Sequence, residues 1–273
     1  IGQRDFFNNE PRAGASGLAD PGSIYYDPET ERLFVVDGGN HRILTFDVDP
    51  ENLETGMSAE TVIGQADFDS NQPGVGAGRL NRPSRLSFDD AHGRLFVADG
   101  GNQRVVIFDV RPDYLALGAT ATHVLGQDTF GTSDRRVDLR KLAPGQMILN
   151  RRQQQLMVNE GTVANRTLVF DVHPDRIENN PDAVALLFQE DFEKSERRTS
   201  QVYENSPRPF LDEETDTLYV ASGYPGGNRV LLMDMSPGQV TTGMPAFDVI
   251  GHYDVEGKPN FDARAAYGRI NDR

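Results

Sequence analysis

The chain has 273 residues, of which 37% are apolar and 25% are charged, and its formal net charge at pH 7 is −15. This composition suits a globular protein with a sizeable core, and no apolar run approaches the ~18 residues of a membrane helix. The acidic excess would repel the phosphate backbone of nucleic acids, and the lack of cysteine excludes disulfides and thiolate metal sites.

A short sequence recurs along the chain at a nearly constant spacing. Ile1-Gly-Gln-Arg-Asp-Phe6 returns at Ile63–Phe68 and Leu125–Phe130, and weaker copies stand at Leu187–Asp191 and Ile250–His252. The steps between copies are 62, 62, 62 and 63 residues. A fixed period of this kind is typical of repeat proteins, so the chain is predicted to be built from similar units.

A second sequence keeps the same period. Residues Asp37–Val48 read DGGNHRILTFDV, and Asp99–Val110 read DGGNQRVVIFDV. Each unit also carries an arginine shortly after this turn, and these arginines are Arg42, Arg104, Arg166 and Arg229.

The unit over residues 79–128 illustrates the predicted elements. Four strands rich in β-branched and aromatic residues are expected at 83–88, 94–98, 103–108 and 123–126. Turns separate them at Asp89–Gly93 and Asp99–Asn102, and Gly and Asn in the second turn are expected to take positive φ. No window of the unit shows convincing helical periodicity. Each unit is therefore predicted to be an antiparallel meander.

The strands are apolar on both faces, as Leu33–Val36 and Val105–Phe108 illustrate. A sheet of this kind must be covered on both faces, and stacking successive meanders achieves this. Burial of each Leu, Val or Phe side chain stabilises by about 1.5–3 kcal/mol, which favours stacking over isolated units. The predicted fold is all-β, a β-propeller of four-stranded antiparallel blades in one domain over 1–273. Complete units are placed at about 17–66, 78–128, 139–190 and 205–252, with partial units at 1–6 and 253–273.

The string Asp37–Phe46 resembles the NHL repeat, which is named for an Asn-His-Leu motif. Asn40, His41 and Arg42 stand at the place of that motif, and Asn102–Arg104 keeps it without the histidine. The resemblance recurs at four places and implies a propeller fold. It constrains function less, since the family includes protein-binding and RNA-binding modules, extracellular bacterial proteins and, among related propellers, lyases and hydrolases.

The number of blades in the closed ring stays open at this point. NHL propellers commonly have six blades, whereas four complete units are found here and the sequence is cut inside the repeat at both ends. The chain is expected to be a fragment of a larger propeller, to close through another subunit, or to form an unusually small ring. Unpaired terminal blade edges would invite self-association.

Long loops predict a binding face at one end of the blades, called the top. The turns between the second and third strands lie there, together with the connections over 65–83, 127–144 and 189–207. The candidate ligand-binding residues are Asp37, Asn40, His41, Arg85, Asp99, Asn102, Gln146, Glu160 and Tyr224.

Structural roles compete with ligand binding for the repeated residues. Asp37 and Asp99 are also expected to accept hydrogen bonds from the N–H groups of their own turns. The repeated arginines are expected to pack between blades and to pair with carboxylates such as Asp47 or Asp109.

No cofactor is expected. None of the five histidines falls on an inner-strand candidate, which argues against a zinc site. Calcium held by Asp and Asn oxygens is chemically compatible with so acidic a chain, although no Asp-x-Asp-x-Asp-Gly loop is present.

Together these features predict a non-enzymatic binding propeller that recognises a protein, peptide or glycan on its top face. Nucleic acid is not an expected partner, membrane insertion is not expected, and an extracellular or periplasmic location is. The alternative is a metal-dependent propeller lyase or hydrolase with its site at the central channel.

Overall fold

The computed structural model describes residues 1–3, 7, 9–116, 118–134, 142, 144–160, 165–192, 208–221 and 229–251. Over these residues the chain forms sixteen strands in four sheets, and each sheet contains four antiparallel strands in chain order. The predicted all-β fold and the four-stranded meander are therefore confirmed. A helix of one turn, α1 (Pro112–Ala116), lies in the loop after the seventh strand and was not predicted.

The strand bounds follow the period of the sequence. The first sheet contains β1 (Pro21–Asp27), β2 (Arg32–Asp37), β3 (Arg42–Asp47) and β4 (Thr61–Ile63). The second sheet contains β5 (Pro83–Asp89), β6 (Arg94–Asp99), β7 (Arg104–Asp109) and β8 (Ala121–Leu125). The third sheet contains β9 (Met147–Asn150), β10 (Gln155–Asn159), β11 (Thr167–Asp171) and β12 (Ala185–Leu187). The fourth sheet contains β13 (Arg208–Asp212), β14 (Thr217–Ala221), β15 (Val230–Asp234) and β16 (Asp248–Ile250).

The chain is divided into two compact units. Unit 1 comprises Ile1–Arg136, Arg140–Gly145 and Glu178–Pro181, and it contains the first two sheets. Unit 2 comprises Val137–Leu139, Gln146–Ile177 and Asp182–Arg273, and it contains the third and fourth sheets. Of the helices in the described ranges, none is long and apolar enough to cross a membrane.

The core of unit 1 is the contact between its two sheets. Phe88 of β5 stacks on Tyr25 of β1, with ring centroids 4.5 Å apart, and lies 5.6 Å from the ring of Phe34. Burial of this apolar area is the main force that holds the two sheets together. The fully buried residues around the aromatic group include Val36, Ile43, Leu95, Val97 and Phe108.

The core of unit 2 is built in the same way. Met157 and Val169 of the third sheet belong to one buried cluster with Leu218, Val220 and Met233 of the fourth. In both units one sheet thus covers the apolar face of the next, as the two-sided apolar strands predicted.

The turn between the second and third strands differs from the prediction. Gly38–Asn40 and Gly100–Asn102 are single 3-10 turns, and positive φ falls on the next residue, His41 (57°) or Gln103 (53°). The glycines serve a close approach instead, because a Cβ on Gly39 would lie 2.7 Å from the carbonyl oxygen of Ala19.

The Ile-Gly-Gln motif owes its glycine to a backbone and a packing constraint. Gly64 has a φ of +92°, and a Cβ there would lie 2.5 Å from Cδ1 of Leu80. Gly126 repeats this geometry against Leu142, with a φ of +87° and a closest approach of 2.6 Å. The recurrence of glycine and leucine at a fixed separation therefore reflects one packed pair in each of these two repeats.

A Gly64→Ala substitution should destabilise the protein by about 1–3 kcal/mol, because alanine at positive φ is strained and Leu80 would have to move. Gly78→Ala is the matched control, since a Cβ there would meet only Thr120 at 3.7 Å. Urea unfolding of the two variants measures the difference. Equal midpoints would contradict the packing argument.

Candidate functional site

Fully buried ion pairs hold the top end of the sheets in unit 1. Arg42 Nε donates to Asp37 Oδ2 at 2.7 Å, and both side chains are completely inaccessible to solvent. Arg42 Nη2 also donates to the carbonyl oxygens of Gly14 and Gly17, at 3.0 and 3.1 Å, while Nη1 donates to that of Phe68. One guanidinium thus ties the start of a strand to two loops.

The second sheet repeats this arrangement. Arg104 Nε lies 2.7 Å from Asp99 Oδ2, and its other nitrogens donate to the carbonyls of Phe130, Gly76 and Arg79 at 2.6, 3.1 and 2.9 Å. Within unit 2, Arg166 donates to the buried carboxylate of Glu160 and to the carbonyl of Phe192.

The predicted carboxylate partners of these arginines were wrong. Asp47 accepts from Asn52 Nδ2 at 2.7 Å, and Asp109 pairs with Arg111 on the surface. The acid that meets the buried guanidinium stands five or six positions before the arginine, across the turn. Strand register explains why this acid is the partner in unit 1, since Asp37 lies directly opposite Arg42 in the β2–β3 pair.

The two turn aspartates also accept from a different backbone group than predicted. Asp37 Oδ1 accepts the N–H of Ala19 at 2.7 Å, and Asp99 Oδ1 accepts that of Asn81 at 2.7 Å, so each acid holds the preceding long loop and not its own turn. Burial raises the pKa of Asp99, and the Arg104 charge is the strongest influence in the opposite direction.

The residues predicted to bind ligand occupy two kinds of environment. Asp37, Asn40, Asp99, Asn102 and Glu160 are buried. The two asparagines donate both to the neighbouring aspartate and to a loop carbonyl, that of Arg12 or of Gly74.

The other predicted residues lie closer to solvent. Gln146, in unit 2, is exposed and donates to the carbonyl of Pro209 at 3.2 Å. Arg85 is exposed and His41 is half-buried, both in unit 1. Tyr224 lies outside the described residues. Ligand contact by any residue of the predicted set stays a prediction.

Arg82 lies beside His41 at the top of unit 1, and a second exposed arginine, Arg85, follows it in β5. The N–H of Arg82 donates to His41 Nδ1 at 2.9 Å, and the carbonyl of His41 accepts from Gln65 Nε2 at 3.1 Å. Arg82 and Arg85 are both exposed, and they flank the start of β5. We call His41, Arg82 and Arg85 the cationic rim.

The first residues of β1 lie against the cationic rim. A Cβ on Gly22 would lie 2.9 Å from the carbonyl oxygen of Ser84, and one on Gly38 would lie 3.0 Å from that of Pro83 and 3.2 Å from that of Asp20. Both inner strands have a β-bulge here, and bulges re-aim side chains at the rims of sheets.

The hydrogen bond to Arg82 determines the tautomer of His41. Because Nδ1 accepts a hydrogen bond from a backbone N–H, the neutral ring carries its own proton on Nε2. Partial burial lowers the pKa of His41, the Arg82 charge lowers it further, and Asp37 acts in the opposite direction. The ring is therefore neutral at pH 7 and offers a hydrogen-bond donor, whereas Nδ1 is occupied.

Sequence reasoning missed Arg82. Its φ of 50° matches the 51° of Asp20, sixty-two residues earlier, so the two residues share a strained backbone position but carry opposite charges. An alignment of the repeats would have shown this change from Asp20 to Arg82, because the two residues occupy the same position of successive repeats.

Within the described ranges, no three His, Asp or Glu side chains lie close enough together to hold a metal ion.

Residues 80–108 match the NHL repeat. The chain carries an NHL repeat. This confirms the resemblance at one of the four places where it was predicted, over β5, β6 and most of β7. Among curated proteins, no significant match is found.

Solved structures with the same fold are similar to this chain at low identity. The periplasmic gluconolactonase PpgL of Pseudomonas aeruginosa is 16% identical, with a TM-score of 0.52 over 93% of this chain and 62% of that one. A candidate 6-phosphogluconolactonase of Bacteroides uniformis is 14% identical, with a TM-score of 0.51 over 88% and 62% of the two chains. A functionally unknown protein of Desulfotomaculum acetoxidans is 14% identical, with a TM-score of 0.51 over 90% and 61%.

These comparisons support the β-propeller class of the NHL-repeat chain and correct its predicted function. The chain spans about three fifths of the length of these solved structures. The expectation of a non-enzymatic binding propeller is wrong, because the structures that share the fold include two named as lactonases.

Replacing Arg104 by alanine should destabilise the protein by about 3–5 kcal/mol, since Asp99 would remain buried without its charge partner. Arg111→Ala, which breaks an exposed pair, should have a much smaller effect, because solvent screens such a pair. Guanidinium unfolding measures both variants. A small effect at Arg104 would contradict a structural role for the buried pair.

Nitrogen-15 NMR of the imidazole rings should show His41 titrating below its ordinary pKa of about 6.5, with the neutral ring protonated on Nε2. Arg82→Ala should raise the pKa of His41 without restoring the ordinary value, because burial is the larger cause. Arg111→Ala should leave this titration unchanged. Protonation of the neutral ring on Nδ1 would refute the hydrogen-bond assignment.

Proposed function

We propose that this chain contributes blades to a β-propeller hydrolase that opens cyclic esters of sugar acids at the cationic rim. The observation that carries the proposal is the hydrogen bond that joins neutral His41 to the backbone of the exposed Arg82, at the top of the inner strands. The likeness to two structures named as lactonases supplies the substrate class.

The rim has the groups that lactone hydrolysis requires for charge stabilisation. Water adds to the ester carbonyl, a negative charge develops on the carbonyl oxygen, and the bond to the ring oxygen then breaks. The ring oxygen takes up the proton that the water loses, and a hydroxy acid is formed. The Nε2–H of His41 and the two guanidinium groups stabilise the developing oxyanion and hold the carboxylate product.

Asp20, the residue before β1, is the carboxylate that we assign to accept the proton from water. Asp20 is exposed, and its backbone carbonyl approaches Gly38, as that of Pro83 does. An acid just before β1 and two arginines at the start of β5 would give the rim both a base and cations. His41 is not the base, since its Nδ1 lone pair already accepts a hydrogen bond.

We further propose that the rim belongs to a ring of blades. The four sheets are blades with a repeat of about 62 residues, as the sequence period indicates, and the complete ring holds more than four blades. The low coverage of the similar structures supports this ring size. We also propose an extracellular or periplasmic location. Elemental analysis and chelator treatment test for a divalent ion in the central channel.

The proposal is tested by following acid release from D-glucono-δ-lactone and its 6-phospho form in a pH-stat, above the spontaneous rate. His41→Asn should lower kcat about 100-fold, the scale for loss of one oxyanion donor. Asn tolerates the left-handed backbone at this position, so the turn is kept. Asp20→Asn should also lower kcat, whereas Arg85→Ala should mainly raise KM.

Two matched controls accompany these variants. His92→Asn and Arg111→Ala remove the same residue types from other surfaces of unit 1 and should leave the hydrolysis rate unchanged. Absence of turnover above the spontaneous rate with both lactones, with and without added divalent ions, would contradict the proposal.

A further inference from the structure

Two sheet faces of the chain present large apolar side chains to solvent. On the first sheet, Ile24 and Tyr26 of β1 are 62% and 49% exposed, and we call this pair the leading face. On the fourth sheet, Phe210 of β13 and Ile250 of β16 are 66% and 51% exposed, and with Tyr219 they form the trailing face. Contiguous exposed apolar side chains of this size mark interaction surfaces.

Unit 1 shows how two successive sheets bury such faces. Leu86 and Phe88 of β5 are only 9% and 4% exposed, because they pack against the first sheet. The ring of Phe88 contacts Tyr25 and Phe34, which are directly opposite each other in the β1–β2 pair. An aromatic side chain of one sheet is thus held by a cross-strand aromatic pair of the preceding sheet.

The leading face corresponds to the face of the second sheet that packs on the first sheet through Leu86 and Phe88. Tyr26 lies opposite Leu33 in the first sheet as Phe88 lies opposite Leu95 in the second, and the two aromatic residues are sixty-two positions apart. Ile24 and Leu86 are related in the same way. The leading face therefore carries the side chains that would pack on a preceding sheet.

The trailing face corresponds to the face of the first sheet whose Tyr25–Phe34 pair contacts Phe88. Phe210 lies opposite Tyr219 in the β13–β14 pair, as Tyr25 lies opposite Phe34 in the first sheet. The centroids of the two rings are 6.4 Å apart and the rings are tilted by 45°, which leaves an exposed aromatic pair. Ile250 stands on the same face of the sheet, since it pairs through Val230 with Ala221.

We propose that copies of this chain associate head to tail, with Tyr26 of one copy packing on the Phe210–Tyr219 pair of the next. A second copy is the occupant because each chain carries both halves of a contact that unit 1 already makes internally. The new interface would continue the same sheet-on-sheet stacking. It is heterologous, so each added copy leaves one leading and one trailing face for further growth or for ring closure.

The size of the sheet sets the strength of the association. Four strands about 4.8 Å apart with five residues each span roughly 19 by 16 Å, since the rise is ~3.3 Å per residue. This patch is smaller than the ~800 Å² per partner of a standard stable interface. Association should therefore be weak, with a dissociation constant in the micromolar range, and should depend on protein concentration.

Sedimentation velocity over 1–500 µM protein, as an order of magnitude for the weak binding expected here, tests the proposal. The native chain should sediment faster as its concentration rises. Tyr26→Asp and Phe210→Asp should each abolish this shift, because each removes one half of the contact. Leu53→Asp, which changes another exposed apolar residue of unit 1, is the control and should associate like the native chain.

Mixing the two defective variants gives the sharpest result. Phe210→Asp keeps the leading face and Tyr26→Asp keeps the trailing face, so the mixture should form a dimer of one copy of each and no larger species. A monomeric native chain at every concentration would overturn the proposal, as would continued self-association of either variant or failure of the mixture to dimerise. Circular dichroism and thermal unfolding of each variant confirm that loss of association is not loss of fold.

Discussion

The structure of the first three repeats depends on the burial of one arginine in each. A guanidinium cannot lose its proton, so a fully buried one must have both a carboxylate and enough carbonyl oxygens for its remaining N–H groups. Arg42 and Arg104 meet this requirement by drawing loop carbonyls onto the top of a sheet, while the paired aspartate takes a loop N–H. The long connections are therefore held by electrostatics inside the protein, even though they lack regular secondary structure.

This anchoring separates residues that must repeat from residues that vary. The arginine, the acid and the glutamine fasten the loops together: Gln65, Gln127 and Gln189 each donate to the carbonyl of the residue that precedes a buried arginine, at 3.1 Å. Side chains that point away from the anchor do not share this constraint. Asp20 and Arg82 occupy one backbone position with opposite charges, which is where a fixed frame permits chemistry to change.

The sequence predicted the fold because local and global signals agreed. Alternating turns and β-formers placed β5 through β7 within one residue of their observed bounds, and two-sided apolar strands predicted the stacking. The partners of the arginines and the positive φ of His41 and Gln103 were missed, since both depend on how a distant loop approaches the turn. Within the candidate site, His41 was chosen for its place in a top turn and Arg85 because its position does not repeat, whereas Arg82 was hidden because its neighbours in sequence gave no reason to compare it with Asp20.

Buried carboxylates, rather than regular strands, hold the top loops. Amide hydrogen exchange measured by NMR tests it most directly at Ala19 and Asn81, whose N–H groups donate to Asp37 and Asp99. These amides lie outside the strands, and the account predicts that they exchange as slowly as those of β2 and β6. Exchange at the rate of an exposed loop, with the neighbouring strands still protected, would contradict it.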